Sequence, residues 1–136
     1  MHLITVQTTI DASLNHVWAC WTEANHITQW NFASDDWYCP AARVDLRVGG
    51  EFHYEMAAKD GTMSFDFWGT YTKIEPQKTL EIAIGDGRNM YVSFHEDAAG
   101  TTVIEQFEPE NENPEEMQQE GWQMILTNFK KHAERK

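Results

Sequence analysis

The chain has 136 residues, of which 41% are hydrophobic and 24% charged, a composition typical of a globular protein long enough to bury a core. Ten Lys and Arg residues stand against 22 Asp and Glu, and the formal net charge of −12 disfavours nucleic acid and anionic membrane surfaces as partners. No run reaches the ~18 apolar residues that a membrane span needs, and the start does not resemble a signal peptide. We therefore expect a cytoplasmic protein with one domain over residues 1–136.

The first third of the chain predicts one strand and two short helices. Residues 2–10 alternate and are rich in β-branched types, which indicates a strand. Asp11 or Ser13 can cap the helix that follows, and a second helical segment is expected over 27–30. The stretch 31–42 is predicted to contain little strand, because Pro40 argues against a central strand position.

From Arg43 onward the apolar residues recur at every second position, which is the period of a strand. Turn residues separate the predicted strands, as at Gly49-Gly50 and Asp60-Gly61. The strands are expected over 43–48, 51–56, 63–75, 80–84, 90–94 and 101–107. Because short turns join them in sequence, they predict an antiparallel meander with one wet face and one dry, aromatic face.

The last segment, from Pro114 to the C-terminus, is predicted to be a long helix with Asn113 as its cap. Acidic residues at its start and basic residues at its end match the helix dipole. Its apolar stripe is expected to contain Met117, Gly121, Met124, Ile125 and Asn128, flanked by Trp122 and Phe129. Gly121 is expected to bring the helix close to the aromatic face of the sheet.

Four phrases, in order along the chain, resemble one protein superfamily. They are IDASLNHVWACWT with ITQW (10–22 and 27–30), VGGEFHYEM (48–56), GTYTKIEPQKTL (69–80) and GWQMILTNF (121–129). Together they resemble the START/birch-pollen-allergen (SRPBCC) superfamily, and within it the single-domain proteins similar to the C-terminal domain of the activator of the heat-shock protein 90 ATPase. The resemblance implies an α+β helix-grip fold, in which a curved antiparallel sheet wraps around a long C-terminal helix, with two short helices after the first strand.

The main functional hypothesis is that the gap between sheet and helix binds a small hydrophobic ligand, as the resemblance implies for helix-grip families. The residues expected to line it are Trp30, Phe52, Tyr54, Phe65, Phe67, Phe94, Met117, Trp122 and Ile125. Tyr54 offers a hydroxyl that could orient a guest. Two alternatives stay open: a protein-interaction domain that regulates a chaperone or another ATPase, and a cyclase- or hydrolase-like enzyme.

No catalytic residue, metal site or cofactor is assigned from the sequence. Side chains that can bind a metal occur at every second position of the predicted strand 51–56, namely at Glu51, His53 and Glu55. This parity places them on the solvent-facing side of the sheet. His26 is expected near the cavity mouth. The thiols of Cys20 and Cys39 are expected to be reduced and without an obvious histidine partner. Few ionisable residues have the parity of the cavity face, and Glu105 is the main one in question, because Val103 and Phe107 share its side. A homodimer also remains open.

Overall fold

The computed structural model describes residues 2–135. The strands are β1 (Ile4–Ile10), β2 (Trp37–Val44), β3 (Glu51–Ala58), β4 (Ser64–Glu75), β5 (Thr79–Ile84), β6 (Asn89–Asp97) and β7 (Gly100–Phe107), and the helices are α1 (Leu14–Thr22), α2 (Ala24–Ile27) and α3 (Glu115–Glu134). The strands form one curved antiparallel sheet in the order β1-β7-β6-β5-β4-β3-β2. The predicted helix-grip fold is confirmed.

The buried face of the sheet follows the predicted alternation. In β5 the residues Leu80, Ile82 and Ile84 are buried, and Met90 and Val92 continue the same face on β6. This face and the helices enclose the core, because each strand turns every second side chain inward. At the start of α1, the Ser13 hydroxyl accepts a hydrogen bond from the His16 backbone N–H at 3.3 Å, so Ser13 is the cap.

The prediction was wrong about where the second strand lies. β2 begins at Trp37 and ends at Val44, so the segment around Pro40 is a strand and residues 45–48 are not. β2 is an edge strand, so one of its sides forms no hydrogen bonds with a neighbouring strand. Proline, which has no backbone N–H to donate, is tolerated on that side. Leu46 and Val48, expected on the buried face, are exposed.

Helix α3 buries a different face from the one predicted. Met117 is 58% exposed and Met124 is 42% exposed. The residues of α3 that are buried are Gln118, Leu126, Phe129, His132 and Ala133. The buried stripe is therefore rotated by about one residue, or ~100°. The N-cap position is held by Pro114, and no side chain caps the helix there, so the expectation for Asn113 was also wrong.

The position of α3 explains why a space remains above the sheet. Among the strands, α3 makes its close backbone approach to β1, and it also touches α1. Three α3 side chains donate to free carbonyls of β1: Gln119 to Thr5 at 3.3 Å, Gln123 to Gln7 at 3.3 Å and Lys130 to Thr9 at 2.5 Å. Because the helix is tethered along one edge of a curved sheet, it stands away from the central strands, and side chains fill the interval only in part.

Gly69 and Gly121 differ in the space that a side chain would find at each position. A Cβ at Gly69 would lie 2.8 Å from Ile82 Cγ2 and 3.1 Å from Phe52 Cε2, so the buried face has no room for a side chain there. A Cβ at Gly121 would meet nothing within 4 Å. The expected close approach of α3 at Gly121 is therefore wrong.

No helix in residues 2–135 is both long enough and apolar enough to cross a membrane.

Candidate functional site: an aromatic cavity with one buried acid

A cavity of about 320 Å³ lies between the sheet and α3. Its volume is at the lower end of the range for small-molecule sites, ~300–1,000 Å³. Exposed residues such as Phe65 and Asn113 belong to its lining, so the cavity reaches solvent. The lining residues are Trp21, Trp30, Asn31, Phe52, Tyr54, Met56, Phe65, Phe67, Ile82, Arg88, Met90, Glu105, Glu110, Asn113, Gln118, Trp122 and Ile125.

The structure brings seven of the nine sequence-predicted residues together around this cavity. They are Trp30, Phe52, Tyr54, Phe65, Phe67, Trp122 and Ile125. Phe94 lies elsewhere in the core, with its ring 5.2 Å from that of Trp18 and 6.0 Å from that of Trp21. Met117 lies on the outer face of α3, because the buried stripe of that helix is rotated relative to the predicted one.

Ring–ring contacts hold the aromatic walls in place. On the helix side, the Trp122 ring stacks on Phe107 of β7 with centroids 3.8 Å apart and planes within 10°. On the α1–α2 side, Trp30 packs edge-on against Phe129 at 4.8 Å. The Trp30 indole N–H also donates to the Cys20 carbonyl at 2.9 Å. The walls are therefore preformed, which lowers the ordering cost of binding a guest.

Glu105, in the middle of β7, is a buried acidic residue of the cavity lining. Its side chain faces inward with only 5% of the residue exposed, and its cross-strand neighbours are Val6 on β1 and Val92 on β6. Burial among these groups raises the pKa of Glu105 from 4.5 to about 8, and within residues 2–135 no hydrogen bond or counter-charge opposes this. The carboxyl group is therefore mostly protonated at neutral pH, and it can both donate and accept a hydrogen bond.

Two tyrosines on β3 and β4 accompany this acid. Tyr54 is buried in the cavity wall, and desolvation raises its pKa well above the usual value for a phenol, with Tyr71 and Glu105 adding to the effect. Burial likewise raises the pKa of Tyr71 to about 12. Both phenols therefore stay neutral at physiological pH and can act only as hydrogen-bonding groups.

The rim of the cavity is formed by the loop between β7 and α3. Gln118 fixes this loop: its Oε1 accepts from the Glu110 backbone N–H at 2.9 Å, and its Nε2 donates to the Asn113 carbonyl at 2.8 Å. Arg88 donates to the Glu108 carbonyl at 3.0 Å and pairs with Asp86 at 2.8 Å. Because these polar groups already have partners, Glu105 is the lining acid left to meet a guest.

A wider concavity of about 610 Å³ runs along the outer face of α3. It is an open groove between that helix and residues 33–35, lined mainly by polar residue types, and it lacks the enclosed aromatic walls of the central cavity. We do not assign it a small-molecule role, because such sites usually bury most of the ligand.

His53, considered above as a metal ligand, lies on the other face of the sheet. Its Nδ1 lies 2.8 Å from Asp66 and its Nε2 lies 2.9 Å from Glu51, and its ring stacks on Trp68 with centroids 5.6 Å apart. Hydrogen bonds to Asp66 and Glu51 raise the pKa of His53. Both ring nitrogens are engaged by carboxylates, and Glu55 contributes to neither pair. The arrangement is an ion-pair cluster that ties β3 to β4.

A second titratable cluster lies at the far end of α3, and sequence reasoning did not find it. His26 was expected at the cavity mouth, but its Nδ1 lies 2.8 Å from Nε2 of His132. Cys20 Sγ lies 3.6 Å from Nε2 of His16. The spacing His16-x-x-x-Cys20 on one helix could have revealed the second pair, since residues i and i+4 share a face. The partner on α3 could not be found this way.

The sequence and the fold match those of a known family. The sequence profile of the family described as Activator of Hsp90 ATPase homolog 1-like protein matches residues 11–134. The chain belongs to this family. No curated protein matches it. The cytoplasmic location stays a prediction, and a chaperone partner and a homodimer stay open alternatives.

Solved structures support membership of this AHSA1-like family. An AHSA1-like protein from Aeromonas hydrophila is 42% identical with a TM-score of 0.92, over 98% of this chain and 92% of that one. Chr148 from Cytophaga hutchinsonii is 46% identical with a TM-score of 0.83, over 96% of this chain and 91% of that one. CV1439 from Chromobacterium violaceum, at 18% identity, shares the fold with a TM-score of 0.87 over 100% of each chain.

Proposed function

We propose that this AHSA1-like protein binds a small, flat, mostly apolar molecule in the cavity between the sheet and α3. The observation that supports the proposal is the pairing of aromatic walls with one buried, unpaired acid, Glu105. An apolar cavity with few polar groups is typical of small-molecule sites, in which the polar groups fix the orientation of the guest.

The chemistry of Glu105 narrows the class of guest. A protonated carboxyl group donates a strong O–H hydrogen bond, so it prefers a guest with a neutral acceptor such as a carbonyl or ether oxygen. An anionic guest is disfavoured, because its approach would add negative charge to a low-dielectric site beside a group that can ionise. We therefore propose neutral aromatic ketones and related compounds as the ligand class.

The same residues favour binding over catalysis. Hydrolysis or cyclisation by acid–base chemistry needs at least two groups that can exchange protons near the reacting atoms. In the cavity, Arg88 is paired with Asp86, and Glu110 accepts hydrogen bonds from the rim loop at 2.6 Å (Asn113 N–H) and 3.1 Å (Glu112 N–H). Tyr54, which interacts with Glu105, has a pKa raised well above its usual value, so its phenol exchanges protons poorly at neutral pH. A binding role therefore needs fewer additional assumptions.

A matched ligand pair tests the proposal. We expect 2-acetylnaphthalene to bind saturably and to quench tryptophan fluorescence, because Trp21, Trp30 and Trp122 line the cavity. Naphthalene should bind about 2–10-fold more weakly, as expected for the loss of one hydrogen bond. In Glu105→Leu this preference for the ketone should disappear. Absence of saturable binding for both compounds would refute the proposal.

Two neighbouring substitutions on α3 show whether binding occurs in the cavity. Ile125→Trp places a large ring in the cavity and should abolish binding of 2-acetylnaphthalene. Met124→Trp adds the same ring at an adjacent position that is 42% exposed and does not line the cavity, so its affinity should match the wild type. Equal loss in both variants, or no loss in either, would place the binding elsewhere.

A further inference from the structure

The Cys20–His26–His132 cluster has the composition of a metal site. Cys20 lies on α1, His26 on α2 and His132 near the end of α3, and one ligand atom from each lies within 4.8 Å of the other two. A thiolate and two imidazole nitrogens are a ligand set favoured by Zn²⁺ and related divalent d-block ions. Cys20 and His26 are close in sequence, whereas His132 is 106 positions beyond His26, and the fold brings it to the other two.

The spacing of the cluster is close to that of a tetrahedral site. With metal–nitrogen bonds of ~2.0–2.1 Å and a metal–sulfur bond of ~2.3 Å, tetrahedral ligand atoms stand ~3.3–3.6 Å apart. His26 Nδ1 and His132 Nε2 are 2.8 Å apart. To hold the ion, the two nitrogens would separate by about half an ångström, and any ligand pair near the 4.8 Å limit would close by about one ångström. His26 is half-buried.

The protein's own groups leave this cluster incompletely satisfied. Nδ1 of His132 is buried and has no hydrogen-bond partner in the described part of the chain, whereas buried polar atoms are nearly always paired. The whole residue is 9% exposed and Cys20 is fully buried. A metal on Nδ1 of His132 would use the unpaired nitrogen, and a metal on Nε2 would replace the contact with His26.

The three side chains supply three of the four ligands of a tetrahedral site. His16 lies beside the thiol, but its Nε2 also makes a 2.8 Å hydrogen bond with the Ala133 carbonyl, which requires the proton on that nitrogen. His16 therefore has no free lone pair directed at the cluster. Glu23 adds negative charge near Cys20, and Arg135 adds positive charge near His132.

We propose that Cys20, His26 and His132 bind one divalent d-block cation of the Zn²⁺ type, with three protein ligands and one exchangeable position. On binding, the Cys20 thiol gives its proton to water and the resulting thiolate forms the metal–sulfur bond. The ion would connect α1, α2 and the C-terminal turn of α3. The proposal does not depend on the ligand of the central cavity.

Cobalt binding to untagged protein stripped with a chelator tests this proposal. One Co²⁺ per chain should produce a thiolate-to-cobalt charge-transfer band in the near ultraviolet, and Zn²⁺ should displace it. Zn²⁺ should also raise the Tm, because a ligand that binds only the native state stabilises it. Absence of the charge-transfer band in the stripped wild-type protein would overturn the proposal.

Variants assign the ligands. Cys20→Ser should lose the charge-transfer band, and His132→Asn should weaken Zn²⁺ binding at least tenfold. His26→Asn, at the half-buried ligand, should also weaken Zn²⁺ binding at least tenfold. This variant replaces either of the other two if that one fails to fold. Cys39→Ser, at the other buried cysteine, and His95→Asn, at an exposed histidine, should bind as the wild type does. A band that persists in Cys20→Ser, or unchanged affinity in both histidine variants, would refute the assignment.

Discussion

Replacement of Glu105 by Gln should make the protein less sensitive to alkaline pH. In the native state the pKa of Glu105 is about 8, and its reference value is 4.5. Between these values the folded protein holds a proton that the unfolded chain releases. The free energy of unfolding therefore falls as pH rises through this window, and the contribution of Glu105 is constant below the window and above it. The amide of the replacement glutamine cannot ionise, so the variant should lack this loss.

The size of the effect follows from the shift in the pKa of Glu105. The interval from 4.5 to about 8 is about 3.5 pH units, and each unit corresponds to about 1.4 kcal/mol. The upper limit on the loss is therefore about 5 kcal/mol. Solvent that enters the cavity would hydrate the carboxylate, so we expect a gain of about 2–5 kcal/mol for Glu105→Gln at pH ~9 and almost none at pH ~4.

Urea unfolding followed by tryptophan fluorescence measures this difference at a series of pH values. All other titratable groups are common to both proteins, so their contributions cancel in the comparison. Glu55→Gln, at an exposed position on β3, serves as the matched control and should follow the wild type at every pH. If the wild type and Glu105→Gln have parallel pH profiles, Glu105 does not titrate from a buried, protonated state.

Three further substitutions concern α3. Phe129→Ala removes a fully buried ring that packs against Trp21 at 4.9 Å and Trp30 at 4.8 Å, so it should lower the free energy of unfolding by about 3–5 kcal/mol. Met117 is 58% exposed, so Met117→Ala should change the free energy of unfolding by less than about 0.5 kcal/mol. A loss as large as that of Phe129→Ala would mean that Met117 is buried, as the sequence predicted. Gly121→Ala should raise the stability by about 0.8–1 kcal/mol, because a Cβ there meets open space; a lower Tm would mean that the helix needs glycine at this position.

The sequence predicted the strands well where alternation and turn residues agree. The residues from Leu80 to Ile84 alternate cleanly, and β5 was found with nearly its observed bounds. The second strand was misplaced because Pro40 disfavours a strand in general, whereas the ladder of an edge strand tolerates it. Sequence alone does not state which strands will be edges.

The helix shows a different limit of sequence reasoning. The existence and length of α3 followed from its apolar content, its terminal charges and Pro114. Its buried face did not, since Met and Leu are equally apolar and neighbouring residues differ in direction by ~100°. Packing against β1 and against the α1–α2 segment decides the rotation: Leu126 and Phe129 are buried, and Met117 and Met124 are left in solvent.

The sequence by itself determined the α+β class, the meander, the long terminal helix and the aromatic character of the enclosed space, because these depend on local periodicity and composition. Only the tertiary structure decided what the interior contains. The alternation of β7 already places Glu105 on the inward-facing side of the strand. Its raised pKa, however, depends on neighbours from β1 and β6. The Cys20–His26–His132 cluster likewise exists only because α1, α2 and α3 converge, and no local pattern records the distance between residues more than 100 positions apart.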